Sequence, residues 1–87
     1  MVKIKLYTKS YCPFCHRAIE ILKNLNVDFE NFEVNTMQNG EEIYEKIKEK
    51  TGHQTVPQIF INDKFIGGCD ELEELNESGE LKELIGS

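Results

Sequence analysis

Residues 2–25, VKIKLYTKSYCPFCHRAIEILKNL, change their periodicity once, and the change falls on a pair of cysteines. Val2, Ile4 and Leu6 alternate with Lys3, Lys5 and Tyr7, the two-residue period of a strand. Ala18, Ile21, Leu22 and Leu25 then follow at helical spacing. Cys12-Pro13-Phe14-Cys15 lies at the junction, and Pro13 suits the first helical position, where its missing N–H costs nothing. A thiol at the first turn of a helix faces unpaired backbone N–H groups and the positive end of the helix dipole, and both favour thiolate. The order of elements therefore predicts Cys12 as a nucleophile, with Cys15 one turn further on and close enough to form a disulfide with it. The chain reads first as a thiol–disulfide redox protein.

Outward from this junction, residues 27–34 read as a second strand, with Phe29, Phe32 and Val34 as apolar members. Asn39-Gly40-Glu41-Glu42 opens a second helix with acids in its first turn, Lys48 and Lys50 near its end and Gly52 as its stop. Glu42 and Lys46 stand at a favourable spacing for an ion pair. Residues 58–61 and 64–66 are short strands about Asn62-Asp63, a hairpin. Gly67-Gly68 breaks the pattern as a flexible loop. A third helix starts near Asp70, a good N-cap, and ends at Ser78-Gly79, with Leu81, Leu84 and Ile85 in a last turn or two. The order β-α-β-α-β-β-α predicts a right-handed parallel unit followed by an antiparallel pair, one mixed sheet flanked by helices. At 87 residues the chain is expected to be a single domain, 1–87; a monomer is expected.

The net charge of −6 is unevenly placed. Seven acids and one base lie from Asp70 onward, so residues 1–69 are neutral and the acidity is a solvated helical face. No basic patch with interleaved aromatics points to nucleic acid. Lys9 and Arg17 flank the thiols and predict a locally positive active end. No apolar run suits a membrane, and Lys3 and Lys5 fall where a signal peptide needs apolar residues, so a cytoplasmic protein is expected. Three cysteines is an odd number, and in a reducing cytosol a close pair is more often catalytic or metal-binding than structural.

Three further segments sharpen the reading. Thr55-Val56-Pro57 precedes the third strand; Pro57 holds Val56 extended and suits a cis bond, which sets a backbone edge beside the thiols. Gly67-Gly68-Cys69-Asp70 leads into a helix N-terminus, a site for a carboxylate. Lys9 stands three residues before Cys12. With Lys9, Cys12-Pro13-Phe14-Cys15, Thr55-Val56-Pro57 and Gly67-Gly68-Cys69-Asp70-Glu71-Leu72 in this order, the chain resembles the glutaredoxins, of the dithiol type found in bacteria, over nearly its whole length.

That resemblance implies a thioredoxin-like α/β fold with a four-stranded mixed sheet. It implies glutathione as electron donor and co-substrate, with no bound cofactor and no metal. Its partners would be glutathionylated or disulfide-containing proteins. By the same resemblance Lys9 pairs with the glycyl carboxylate, and Val56 meets the cysteinyl backbone, held by Pro57 and supported by Thr55. The N–H groups of Asp70 and Glu71 receive the γ-glutamyl carboxylate, with an acidic side chain near its ammonium, and Phe14 supplies an apolar wall. Many relatives have tyrosine in place of Phe14, so one hydroxyl is lost, and aspartate in place of Glu71.

Half a zinc site needs two more ligands, and His16, His53 and Cys69 show no second metal-like pair. Cys12 to His16 matches the haem-attachment pattern, but the α/β order does not suggest a haem pocket. A thioredoxin typically carries tryptophan beside Cys-Gly-Pro-Cys, and this chain has no tryptophan. An iron–sulfur carrier bridging two chains through Cys12 and glutathione is the alternative from another class; Pro13 argues against it by family analogy. Cys69 is expected beside bound glutathione, either as an inert half-buried thiol or as one whose pKa the helix end lowers, open to oxidation or glutathionylation.

Overall fold

A computed structural model of the chain describes residues 2–86. The elements are β1 (Ile4–Thr8), α1 (Pro13–Asn24), β2 (Glu30–Glu33), α2 (Gly40–Thr51), β3 (Gln58–Ile61), β4 (Lys64–Gly67), α3 (Cys69–Ser78) and α4 (Glu80–Gly86). The sheet order is β2-β1-β3-β4. β1 and β2 are parallel across the α1 crossover, and β3 runs antiparallel to both β1 and β4. The expected mixed sheet with flanking helices is what forms.

Alternation in β1 decides which helices cover which face. Ile4, Leu6 and Thr8 are buried on one side, and Ile4 and Leu6 stand opposite Ile61 and Ile59 of β3. Those four residues join Ala18 and Leu22 of α1, Cys69 and Leu72 of α3 and Leu81 of α4 in one core. The other face carries an aromatic row. Tyr7 stacks on Phe32 at 5.1 Å and meets the edge of Phe60 at 5.7 Å, and Phe65 packs on Phe60 at 5.3 Å. Along that face Thr51 donates to the Gln58 side-chain carbonyl at 2.8 Å, and Gln58 donates to the His53 carbonyl at 2.6 Å. Both ends of the buried Gln58 amide are thus satisfied, as burial requires, and the chain from 51 to 53 is fixed against the start of β3.

Two elements differ from the expectation. β2 pairs only over Glu30–Glu33, not from Val27. The chain turns at Asn26, which has φ 55°, and Val27 and Phe29 reach the core as side chains without joining the ladder. In α2 the ion pair is Lys48 with Glu45 at 2.8 Å, three residues apart, and no Glu42–Lys46 pair forms. Gly40, by contrast, is demanded by the packing: a Cβ there would lie 1.6 Å from the Val34 carbonyl oxygen. Gly52 closes α2 in the left-handed region at φ 74°, as read from the sequence. Asn62 and Asp63, at φ 51° and 67°, make the β3–β4 turn. No helix among the described residues is long and apolar enough to cross a membrane.

Candidate active site

The β1–α1 junction presents Cys12 as the N-cap of α1. Its backbone is extended (φ −93°, ψ 113°) and its sulfur accepts the Cys15 N–H at 3.3 Å. A sulfur thus takes the place of the oxygen that usually caps a helix. The preceding turn is braced: the Cys12 N–H donates to the Lys9 carbonyl at 3.2 Å and the Ser10 N–H donates to Asn35 Oδ1 at 2.9 Å. His16 Nε2 lies 2.6 Å from the Ser10 carbonyl, which can only accept, so that nitrogen carries the proton.

All three cysteines are free thiols. Cys12 is half-buried, whereas Cys15 is 1% exposed. Burial first, then its hydrogen bond with Cys12, pushes the Cys15 thiol up to about 12. The pair is therefore unequal: one sulfur is reachable, and the other keeps its proton under cover.

Beside the pair lies a groove of about 240 Å³. It gathers Phe14, Thr55, Val56, Pro57, Asp70 and Glu71, six residues that the sequence nominated from three separate segments. The Val56–Pro57 bond is cis. The Cys12 thiol points to the Val56 carbonyl at 3.8 Å. Lys9 lies apart from this groove, on a second hollow of about 360 Å³ that it shares with Tyr11, Gln38 and Tyr44. A larger hollow of about 800 Å³ between the β3–β4 hairpin and α3–α4 contains no cysteine, so size does not identify the site.

The start of α3 corrects the sequence in several particulars. Gly68, not Asp70, is the N-cap; Asp70 is the second helical residue and exposed. Gly67 and Gly68 are not a flexible loop but a buried junction, Gly67 ending β4. Glu71 folds back so that its Oε1 accepts the Gly68 N–H at 2.6 Å. This is the side-chain half of a capping box; glycine has no side chain to supply the other half. A Cβ on Gly67, which has φ 120°, would come within 2.6 Å of that carboxylate, so Gly67 makes room for the cap. The Asp70 and Glu71 N–H groups precede the first helical bond, from Leu72 N–H to the Gly68 carbonyl at 3.1 Å, and stay available to an anion.

Cys69 overturns the expectation of a thiol activated by the helix end. It is 4% exposed, and its thiol donates to Glu73 Oε1 at 3.3 Å. Burial first, then Glu73, pushes it up to about 11. Arg17, expected to make the active end positive, is likewise committed. Its guanidinium grips Glu73 with Nε–Oε1 at 2.9 Å and a second bond to Oε2 at 3.1 Å, tying α1 to α3.

Two residues of this neighbourhood were missed as site residues. Glu73 falls within the acidic face that the sequence assigns to solvent; its position four residues after Cys69, one helical turn on, is the signal that points to the thiol. His53, which the sequence offers only as a metal ligand, has another place. It lines the 240 Å³ groove, with Nε2 3.3 Å from Thr55 Oγ1 and its ring 5.5 Å from that of Phe65. Among the described residues no group of three or more His, Cys, Asp or Glu side chains is placed to hold a metal ion.

Comparison with known proteins agrees with this geometry. The glutaredoxin family model matches residues 4–66. Glutaredoxin-C6 of Oryza sativa subsp. japonica is 42% identical over 82 residues, covering 94% of this chain and 73% of the rice protein. The crystal structure of wheat glutaredoxin superposes with a TM-score of 0.90 at 41% identity, over 94% of this chain and 76% of that one. The crystal structure of a buckwheat glutaredoxin–glutathione complex superposes equally well, TM-score 0.90, at 30% identity over 94% and 74% of the two chains.

Proposed function

This chain belongs to the glutaredoxin family of glutathione-dependent thiol–disulfide oxidoreductases, and we propose that it reduces both glutathione mixed disulfides and protein disulfides through Cys12 and Cys15. The observation that carries this reading is the inequality of the two sulfurs beside a groove that holds a backbone edge, two helix N–H groups and an apolar wall.

Cys12 attacks the glutathionyl sulfur of a mixed disulfide. The bond to the protein sulfur breaks, and the protein leaves as a thiolate that takes up a proton. A second glutathione, as thiolate, attacks the glutathionyl sulfur on Cys12, releasing oxidised glutathione and restoring Cys12. With a protein disulfide, Cys12 forms the mixed disulfide with the substrate and Cys15 resolves it, passing its proton to the leaving protein sulfur. Two glutathiones then reduce the Cys12–Cys15 disulfide. Burial keeps Cys15 protonated and out of the first step until a disulfide on Cys12 calls for it.

Glutathione carries two carboxylates and one ammonium. In our reading Lys9 takes the glycyl carboxylate and Val56 pairs with the cysteinyl backbone. The Asp70 and Glu71 N–H groups take the γ-glutamyl carboxylate. With Glu71 committed to Gly68, the exposed Asp70 side chain faces the ammonium. The reading extends to monomeric action in the cytoplasm, supported by the chemistry of a glutathione-reduced dithiol, which belongs in a reducing compartment. Glutathione with glutathione reductase is expected to sustain turnover of a glutathionylated peptide, while thioredoxin reductase alone is not. Turnover by thioredoxin reductase without glutathione would overturn the assignment.

A further inference from the structure

Lys9 is the one residue of the expected glutathione site that stands outside the main groove, and what holds it there is an aromatic face. Its Nζ lies 4.5 Å from the centroid of the Tyr44 ring. A second ammonium, that of Lys48, lies 4.7 Å from the same centroid. The two lysines differ in one respect: Lys48 is paired with Glu45 at 2.8 Å, whereas Lys9 makes no ion pair among the described residues. Tyr44 is itself fixed, its hydroxyl donating to the Gln54 carbonyl at 3.0 Å. Gln54 directly precedes Thr55-Val56-Pro57. One ring thus joins α2, the β1–α1 turn and the segment that edges the groove.

We propose that Tyr44 is a positioning residue for glutathione, holding the Lys9 ammonium over its ring so that the charge is aimed but left free for the glycyl carboxylate. This rests on the reading of Lys9 given above. A carboxylate in the place of Tyr44 would also orient the lysine, but it would neutralise it and compete with the incoming anion. A ring face attracts the ammonium through its quadrupole and accepts no formal charge. Holding a long side chain in place before binding lowers the ordering cost that the ligand otherwise bears. No local pattern signals this contact, because Tyr44 lies 35 residues from Lys9 in the chain and meets it only across the fold.

The test is a cycle read as the Michaelis constant for glutathione in turnover of a glutathionylated peptide. Tyr44→Leu is expected to raise that constant about two- to fivefold, the range of one exposed cation–π contact. The rate at saturating glutathione should stay the same, as expected where only binding is affected. Tyr44→Phe keeps the face, loses the hydroxyl and should keep the wild-type constant. In a Lys9→Gln background Tyr44→Leu should add nothing. An equal rise in both backgrounds, or no rise in either, overturns the proposal. Lys9→Gln with a wild-type constant would instead remove the Lys9 reading on which it rests. A measurement independent of variant folding is the proton spectrum of the wild-type protein: the Lys9 ε-methylene should be shifted upfield by the Tyr44 ring, and a shift equal to that of the solvent-exposed Lys23 overturns the proposal.

Discussion

Cys12 and Cys69 have nearly the same address. Each follows the end of a strand and stands at the first turn of a helix with a free thiol. Their surroundings are opposite. Cys12 is the cap of α1, half-exposed, and its sulfur accepts a backbone N–H from Cys15. Cys69 is the first residue inside α3, buried against the core, and its thiol gives its hydrogen bond to a carboxylate. At α3 the capping is done by Glu71 instead. A helix N-terminus favours an anion only where the group reaches the unpaired N–H groups and solvent; one position further in, behind a carboxylate, burial dominates and the thiol keeps its proton.

The largest expected effect of this contrast is in activity. Cys12→Ser should reduce both reactions to background, while Cys69→Ser should turn over like wild type in the same coupled assay with glutathione and glutathione reductase. A large loss in Cys69→Ser would erase the contrast. Cys15→Ser comes next. It should keep reduction of a glutathionylated peptide, which needs only the attacking sulfur, and lose reduction of a protein disulfide such as that of insulin. Loss of both reactions would mean that Cys15 acts in the first step as well.

The caps should differ in stability terms. Glu71→Ala removes the acceptor for the Gly68 N–H and should cost about 1 kcal/mol, lowering Tm by about 4–8 °C for a chain of this size. Glu71→Gln, which keeps an acceptor, should lose less. Equal losses would show that the charge at the helix end matters more than the bond.

A smaller effect concerns pH. Cys15 and Cys69 titrate near 12 and 11 when folded, against an ordinary value of 9. Below pH 9 both folded and unfolded chains hold these protons, and the stabilisation is complete. Above it the unfolded chain releases them first, so it binds fewer protons and stability falls as pH rises towards 12. Urea midpoints of the reduced protein should therefore fall between pH 9 and 11, and less steeply in Cys69→Ala. An identical slope in the variant would mean that burial of Cys69 carries no such cost.

How much of this was legible beforehand follows the range of each signal. Period two in residues 2–7 and the helical spacing from Ala18 to Leu25 are local patterns, and they located β1, α1 and the thiols between them. The sheet with its flanking helices followed from the order of elements and the family resemblance. The meeting of Phe14, Thr55, Val56, Pro57, Asp70 and Glu71 in one groove was legible through resemblance alone, since nothing local links residue 14 to 56 or 70. Only half of the setting of Glu73 is local: Cys69 stands four residues earlier, one helical turn away, but Arg17 is 56 residues earlier and meets Glu73 only across the fold. Asp70 was mistaken for the cap because it is the better capping residue by type. The backbone chose Gly68, where the strand ends and Glu71 has room to turn back. β2 was overextended because Val27 and Phe29 are apolar for the sake of the core and not of the ladder.

The most direct measurement is residue-resolved alkylation of the native, reduced protein with iodoacetamide at pH 7, followed by mass spectrometry over time. The account predicts modification at Cys12 alone, with Cys15 and Cys69 intact until the chain is unfolded in urea. Alkylation of Cys69 at a rate comparable to Cys12, or of Cys15 before Cys12, would contradict it.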